Sequence, residues 1–234
     1  MTTNDIRKGN RLLAKVAKDE ADRLLARAEV VDLPLSFVLI EPNKRIEHIY
    51  FPVTLLGSLV TILEDGSSVE SGTIGREGMS GIPVILNADR TPMETVVQVP
   101  GQAIRIPSSH VKKIFDEGGS LYKLLNQYIH TIFIIASQSA ACNRRHSIEQ
   151  RLARWLLMSS DGVGSNEVGI TQNFLAVMLG VRRSGVTEAA LKLQGDGLIR
   201  YTRGSVTITD RKGLEKVACE CYHMAKSEYE RLLA

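Results

Sequence analysis

The stretch from Thr171 to Thr209, TQNFLAVMLGVRRSGVTEAALKLQGDGLIRYTRGSVTIT, leaves the chain few folds to choose from. Leu175, Met178 and Leu179 recur at helical spacing behind Thr171, whose hydroxyl suits a helix N-cap. Gly180 then interrupts, because glycine enters the left-handed region at little cost, and a second helix is predicted from about Arg182 to Gln194. Its apolar face carries Val186, Ala189, Ala190 and Leu193, while Arg183, Ser184, Thr187 and Glu188 project from the other. Small Ala176, turning Gly180 and angle-filling Val186 have the spacing of a helix-turn-helix. Beyond Gly195-Asp196-Gly197, the runs Leu198–Tyr201 and Val206–Thr209 alternate about Thr202-Arg203-Gly204-Ser205, which predicts a hairpin, or wing.

A helix that enters a DNA major groove needs short polar and basic side chains on its exposed N-terminal half. Arginine forks onto guanine, and glutamate accepts from cytosine N4. The candidate DNA-binding set is Thr171 and Gln172 on the first helix, Arg182, Arg183, Ser184, Gly185, Thr187, Glu188 and Lys192 on the second, and Arg203 on the wing. The excess of basic side chains suits phosphate docking. Arg182 stands where a Ser or Asp cap is usual, so a phosphate can cap this helix instead.

The 234 residues are 44% hydrophobic and 24% charged, a globular composition with room for two modest domains. The formal net charge of +3 conceals a division, since residues 1–142 carry 15 Lys and Arg against 16 Asp and Glu, and residues 143–234 carry 14 against 10. The basic half is the C-terminal one. No apolar run approaches the ~18 residues of a membrane span, and the polar start lacks a secretion signal's apolar core, so a cytoplasmic protein without membrane contact is expected. Three cysteines, Cys142, Cys219 and Cys221, make no disulfide framework.

In chain order, Asn10 to Val30 reads as a helix. From Val31 to about Pro107, short alternating runs separated by glycines (FVLIE, IYFPV, GSLVTIL, SVESGTI, ETVVQV) predict an antiparallel barrel or roll. Ser108–Phe115 reads as a short helix. A long one capped by Ser120 follows, on which Leu121, Leu125, Tyr128, Ile132, Ile135, Ser139 and Cys142 alternate steps of four and three. Such a stripe can pack on the chain's own roll or against a second copy; both contacts are expected, the heptad seam meeting the second copy and Leu124, Phe133 and Ile134 meeting the roll. Asn143-Arg144-Arg145-His146 is the expected hinge, with a further helix from Ser147 through Met158 and a last one after Asp210. The expected division is 1–116 sensor roll, 117–143 dimerisation helix and hinge, and 144–234 winged helix-turn-helix, an α+β chain.

Roll, long helix, hinge, helix-turn-helix and wing, with QRLARWLL at 150–157, ITQNFLAVMLGVRRSGVTEAALKLQGDGLI and YTRGSVTITD, resemble the Crp/Fnr superfamily of bacterial transcription regulators over nearly the full length. The resemblance implies a cyclic-nucleotide-binding-like β-roll and a homodimer on an inverted repeat with half-sites about one helical turn apart. It also implies RNA polymerase as a partner and base contacts from Arg183, Ser184, Gly185 and Glu188. A better-known member type has an acidic residue in place of Ser184 and an arginine in place of Glu188, so its DNA sequence does not carry over. The turn that would hold an effector is IGREGMSG, which makes Gly75, Arg76, Glu77, Gly78, Met93 and Glu94 the candidate effector pocket. Arg76 stands where cyclic-nucleotide binders are acidic, and Met93-Glu94 replaces their Arg-Ser pair. A carboxylate facing a phosphodiester repels it, so no cyclic nucleotide is expected, and Arg76 and Arg90 remain the cations for another anion. The iron-sulfur branch needs a cysteine cluster, and none precedes Cys142.

Cys219-Glu220-Cys221 with His223 resembles a fragment of a metal or thiol site. On one helix, however, residues 219 and 221 point apart, so no metal ligands and no cofactor are assigned. Cys142 is placed to cross-link to its twin across the seam. No nucleophile elbow, phosphate loop or catalytic carboxylate pair is present, which argues against an enzyme. The contrasting reading is a small-molecule or nucleotide sensor acting through protein partners, its basic domain vestigial. Salt-dependent retention on DNA separates the two.

Overall fold

The computed structural model describes residues 7–202 and 204–234, the side chain of Asn173 excepted. Arg203, assigned to the DNA-binding set, lies outside the described residues. The elements follow the expected α+β order of roll, long helix, and helical domain with a small wing sheet.

Two short helices, α1 (Arg11–Ala14) and α2 (Lys18–Leu25), replace the single helix expected over Asn10 to Val30. Buried Asn10 caps α1 by accepting from the Leu13 N–H at 2.9 Å, and donates to the carbonyls of Pro52 and Gly78. Between the two helices, the Ala17 N–H donates to Ser120 Oγ at 2.8 Å, and Val30 already belongs to β1 (Glu29–Leu33).

The runs quoted from the sequence become β2 (Val38–Ile40), β3 (His48–Pro52), β4 (Leu56–Ile62), β5 (Ser68–Ile74) and β6 (Glu94–Val99). One turn of helix, α3 (Ile82–Ile85), precedes β6, and β7 (Gly101–Pro107) follows it. Two antiparallel sheets, β1-β7-β3 and β2-β6-β4-β5, form the roll. Leu33, Leu39, Tyr50, Leu55, Val97 and Ala103 fill its interior.

After α4 (Ser108–Asp116), helix α5 (Ser120–Arg145) runs for 26 residues, about 39 Å at 1.5 Å per residue. Its cap comes from far away in sequence. Glu20 accepts from the N–H groups of Ser120 and Leu121 at 3.0 and 2.9 Å, and from the Ser120 hydroxyl, where the Ser120 side chain alone was expected. Burial opposes charge on Glu20, but these hydrogen bonds outweigh it and hold the carboxyl below its usual range.

The expected dimer seam is corrected. Leu121, Leu125, Tyr128, Ile135, Ser139 and Cys142 are buried within the single chain, and Ile132 is half-buried. Leu121, Leu125 and Tyr128 join the core beneath α1, α2, β3 and β7, where the Tyr128 hydroxyl donates to the Met79 carbonyl at 3.0 Å. The opposite face is free, with Asn126, His130, Phe133, Ser137, Ala140 and Arg144 exposed, Phe133 to 69%. Periodicity identifies an apolar face but not its partner, and here the nearest large apolar surface is the chain's own roll.

Only His146 and Ser147 separate α5 from α6 (Ile148–Val163), so Arg144 and Arg145 of the expected hinge are helical. Ser147 caps α6 in a reciprocal box with Gln150. Then come β8 (Glu167–Val168), α7 (Gln172–Leu179), α8 (Arg183–Gly195), β9 (Ile199–Thr202), β10 (Ser205–Ile208), α9 (Arg211–Val217) and α10 (Cys221–Leu232). The wing is a three-stranded sheet, β8-β10-β9. Leu56, Val60 and Val99 of the roll share a core with Leu152, Leu156, Leu175, Val186 and Leu193 of this part. No helix of the described residues is long and apolar enough to cross a membrane.

Two cysteine expectations also change. Cys142 is fully buried, with Sγ 3.6 Å from Sγ of Cys219 in the same chain, so it faces no twin. Cys219 precedes α10 and sits off the helix that begins at Cys221, which lets the two thiols converge.

Candidate nucleic-acid interface and effector cavity

Thr171 caps α7 by accepting from the Phe174 N–H at 3.3 Å. Gly180 ends it with φ 59°, after which the Val181 N–H donates back to the Ala176 carbonyl at 3.0 Å. Buried Val186 fills the angle between α7 and α8. This geometry turns Arg182, Arg183, Ser184 and Glu188 into one exposed strip on the first two turns of α8, with Gly185 half-buried beside them. Arg182 is the N-cap residue and contributes no side-chain cap, so backbone donors there stay open to an anion.

Other members of the set are held by the protein itself. Thr187 Oγ1 lies 3.0 Å from the Arg183 carbonyl and 3.1 Å from Gln172 Oε1, which ties Gln172 to α8. Lys192 pairs with Glu149 at 2.6 Å, and that carboxylate raises its pKa. The α7 helix rests against β5, Gly180 facing Val69, whereas α8 keeps its polar face open. A buried network at the same junction had no sequence signal. Glu70 accepts from Trp155 Nε1 at 3.0 Å and Gln98 Nε2 at 2.9 Å, and burial still raises its pKa.

The roll contains a cavity of about 510 Å³ bounded by β4, β5 and α5. Leu59, Ile74, Met79, Met93, Ile129 and Phe133 dominate its wall, hydroxyls of Thr61, Ser71 and Thr73 punctuate it, and no charged side chain lines it among the described residues.

Of the expected pocket residues only Met93 lines that cavity. Gly75, Arg76, Glu77 and Gly78 lie elsewhere, and this is a correction. The Arg76 N–H donates to the Gly162 carbonyl of α6 at 2.9 Å, and a Cβ on Gly75 would stand 2.4 Å from Gly162 Cα. Arg76 and Glu77 border a smaller cleft of about 100 Å³ shared with Arg11, Asp161, Tyr222 and Tyr229. Burial pushes the Glu77 carboxyl up to about 7, which Arg11 and Arg76 only partly offset. Glu94, at the start of β6, is not among the cavity's residues, and Arg90 is paired with Asp89 at 3.1 Å. The GREG turn carried no sign of this position, because its partner arrives on α6 more than eighty residues later.

Residues 150–217 match the Crp-like helix-turn-helix domain family. The C-terminal part of this chain is similar to a Crp-like helix-turn-helix domain. Its helix-turn-helix is α7 and α8, and the strip of Arg182, Arg183, Ser184 and Glu188 belongs to its second helix. Solved structures of similar fold include a Crp/Fnr-family protein from Eubacterium rectale, with TM-score 0.67 and 18% identity over 90% of this chain and 98% of that one. FixK2 from Bradyrhizobium japonicum has TM-score 0.67 and 14% identity over 82% and 98% of the two chains. The c-di-GMP-responsive global regulator CLP of Xanthomonas campestris has TM-score 0.64 and 15% identity over 82% and 99%. No curated protein matches the chain. With the roll and long helix in front of residues 150–217, the chain shares the overall fold of these solved structures.

Proposed function

We propose that this chain is a homodimeric, sequence-specific transcription regulator that binds an inverted-repeat DNA site, with an uncharged and largely apolar effector in the roll. The observation that carries this reading is the exposed strip on α8 of the Crp-like domain, where Arg183 and Glu188 are free to meet base edges. Ser184 and Gly185 allow close approach beside them, and Thr171, Gln172, Arg182, Thr187, Lys192 and Arg203 serve the sugar-phosphate backbone. The dimer face is Asn126, His130, Phe133, Ser137, Ala140 and Arg144, which repeat in steps of four and three on the exposed side of α5.

The cavity argues for the effector's chemistry. A cyclic mononucleotide, or the dinucleotide named for the Xanthomonas protein, is anionic and would meet no cation in this wall. An apolar occupant would press on Ile129 and Phe133, on the helix that carries the dimer face, and so bias how the two Crp-like domains are held. RNA polymerase is the partner this arrangement serves, in the cytoplasm, and binding rather than catalysis is the activity.

The test is selection of a duplex site from a random pool, followed by affinity measurements across salt concentrations. Arg183→Ala should lose about 1–3 kcal/mol on the selected site and relax the base preference, whereas Arg182→Ala should weaken all sequences alike and lower the salt slope by about 1. Unchanged affinity of Arg183→Ala for the selected site overturns the assignment. A chain with no salt-dependent affinity for DNA would instead be a sensor working through protein partners.

A further inference from the structure

Three thiols and an imidazole meet where the long helix ends. Cys142 and His146 lie four residues apart on the last turn and C-cap of α5, while Cys219 comes from the turn before α10 and Cys221 is that helix's first residue. Their ligand atoms all lie within 4.8 Å of one another. Sγ of Cys142 is 3.6 Å from Sγ of Cys219, and Sγ of Cys221 is 3.6 Å from Nδ1 of His146. A tetrahedral ion with metal–sulfur bonds of about 2.3 Å and a metal–nitrogen bond of about 2.0 Å requires edges of about 3.8 Å between sulfurs and about 3.5 Å from sulfur to nitrogen. One sulfur–sulfur edge and one sulfur–nitrogen edge already have about those lengths, and every other edge is within 4.8 Å.

Three further features fit a thiophilic cation. Nε2 of His146 lies 3.2 Å from Oε2 of Glu220, which fixes the tautomer with the Nδ1 lone pair toward the thiols, as a carboxylate does behind a metal-bound histidine. Gln138 Nε2 donates to Cys221 Sγ at 3.1 Å. Buried Arg151 and Arg154 both act electrostatically on Cys142, and Nε of each is buried without a hydrogen-bond partner. A divalent ion with three thiolates and one neutral imidazole carries one net negative charge, and these guanidiniums supply the opposite sign.

We propose that Cys142, His146, Cys219 and Cys221 form a tetrahedral site for zinc or a similar thiophilic divalent ion, pinning the end of α5 to the turn before α10. The thiols enter as thiolates and release their protons to solvent. This inference is independent of the DNA-reading assignment. It replaces the expectation of no metal ligands, in which Cys219 was placed on a helix and His223 stood in the position that His146 takes.

The test uses the full-length chain. Purified without chelator, it should carry about one zinc per chain by elemental analysis. After reduction and metal removal, titration with cobalt(II) should develop thiolate-to-cobalt charge transfer and the visible bands of tetrahedral cobalt at a ratio of about one. Glu220→Gln keeps all four ligands and alters an exposed side chain, and it should weaken cobalt binding about 10- to 100-fold. Cys219→Ser should weaken cobalt binding and lower the charge-transfer band at saturation by about the share of one thiolate in three. If Cys219→Ser does not fold, the wild-type and Glu220→Gln titrations decide. Absence of the cobalt bands in the reduced wild-type chain overturns the proposal, as does Glu220→Gln binding as tightly as wild type.

Discussion

Glu77 holds a proton that the unfolded chain would release. Its carboxyl, ordinarily near 4.5, is pushed up to about 7 by burial against α6. Between those values the folded state binds more protons than the unfolded state, so stability falls as pH rises from about 4.5 to 7 and is level above. The whole effect amounts to at most about 3 kcal/mol. Glu77→Gln should therefore flatten the pH dependence of denaturant unfolding between pH ~5 and pH ~8, and an unaltered slope would show that other groups carry it. At this scale the sequence was legible where exposure follows helical period, as for Arg183, Ser184 and Glu188 on α8. It was silent where exposure depends on what lands on a residue from far along the chain, as at Glu77, or at Glu20, which caps a helix a hundred residues away.

Among elements, the α7–α8 corner was readable because its constraints are local. Gly180 has φ 59°, a conformation that costs an ordinary residue roughly 1–2 kcal/mol. Gly180→Ala should lower stability by about that amount in chemical denaturation, and should weaken DNA binding if α8 tilts to relieve the strain. No loss of stability would mean that the corner is not under this constraint. Strands β2 to β6 were equally readable from alternating runs between turn residues. Strands β1 and β7 pair with each other across seventy residues, Val30 opposite Ile104, and neither stood out as a run of its own. On α5 the heptad was real, and of the two partners it allowed, the roll rather than a second copy took it, leaving Phe133 largely exposed.

For the molecule as a whole, the proposed dimer depends on that outer face. Phe133→Glu places a charge at its centre and should give a chain of half the native mass in sedimentation. A variant that sediments as wild type would move the interface elsewhere. The expected split into sensor roll, dimer helix and DNA-binding domain leaves out a shared core, in which Leu56, Val60 and Val99 of the roll pack with Leu152 and Leu156 of α6. The two halves are therefore packed as one body in this conformation, and any motion between them must expose apolar surface to water.

Where the roll touches α6, Gly75 and Gly162 bring two main chains together so closely that a Cβ on Gly75 would stand 2.4 Å from Gly162 Cα. Such a latch closes only because neither glycine carries a Cβ. A single methyl group on Gly75 would wedge it ajar, so this resting posture is set by missing atoms, and ordinary mutation can only add to them.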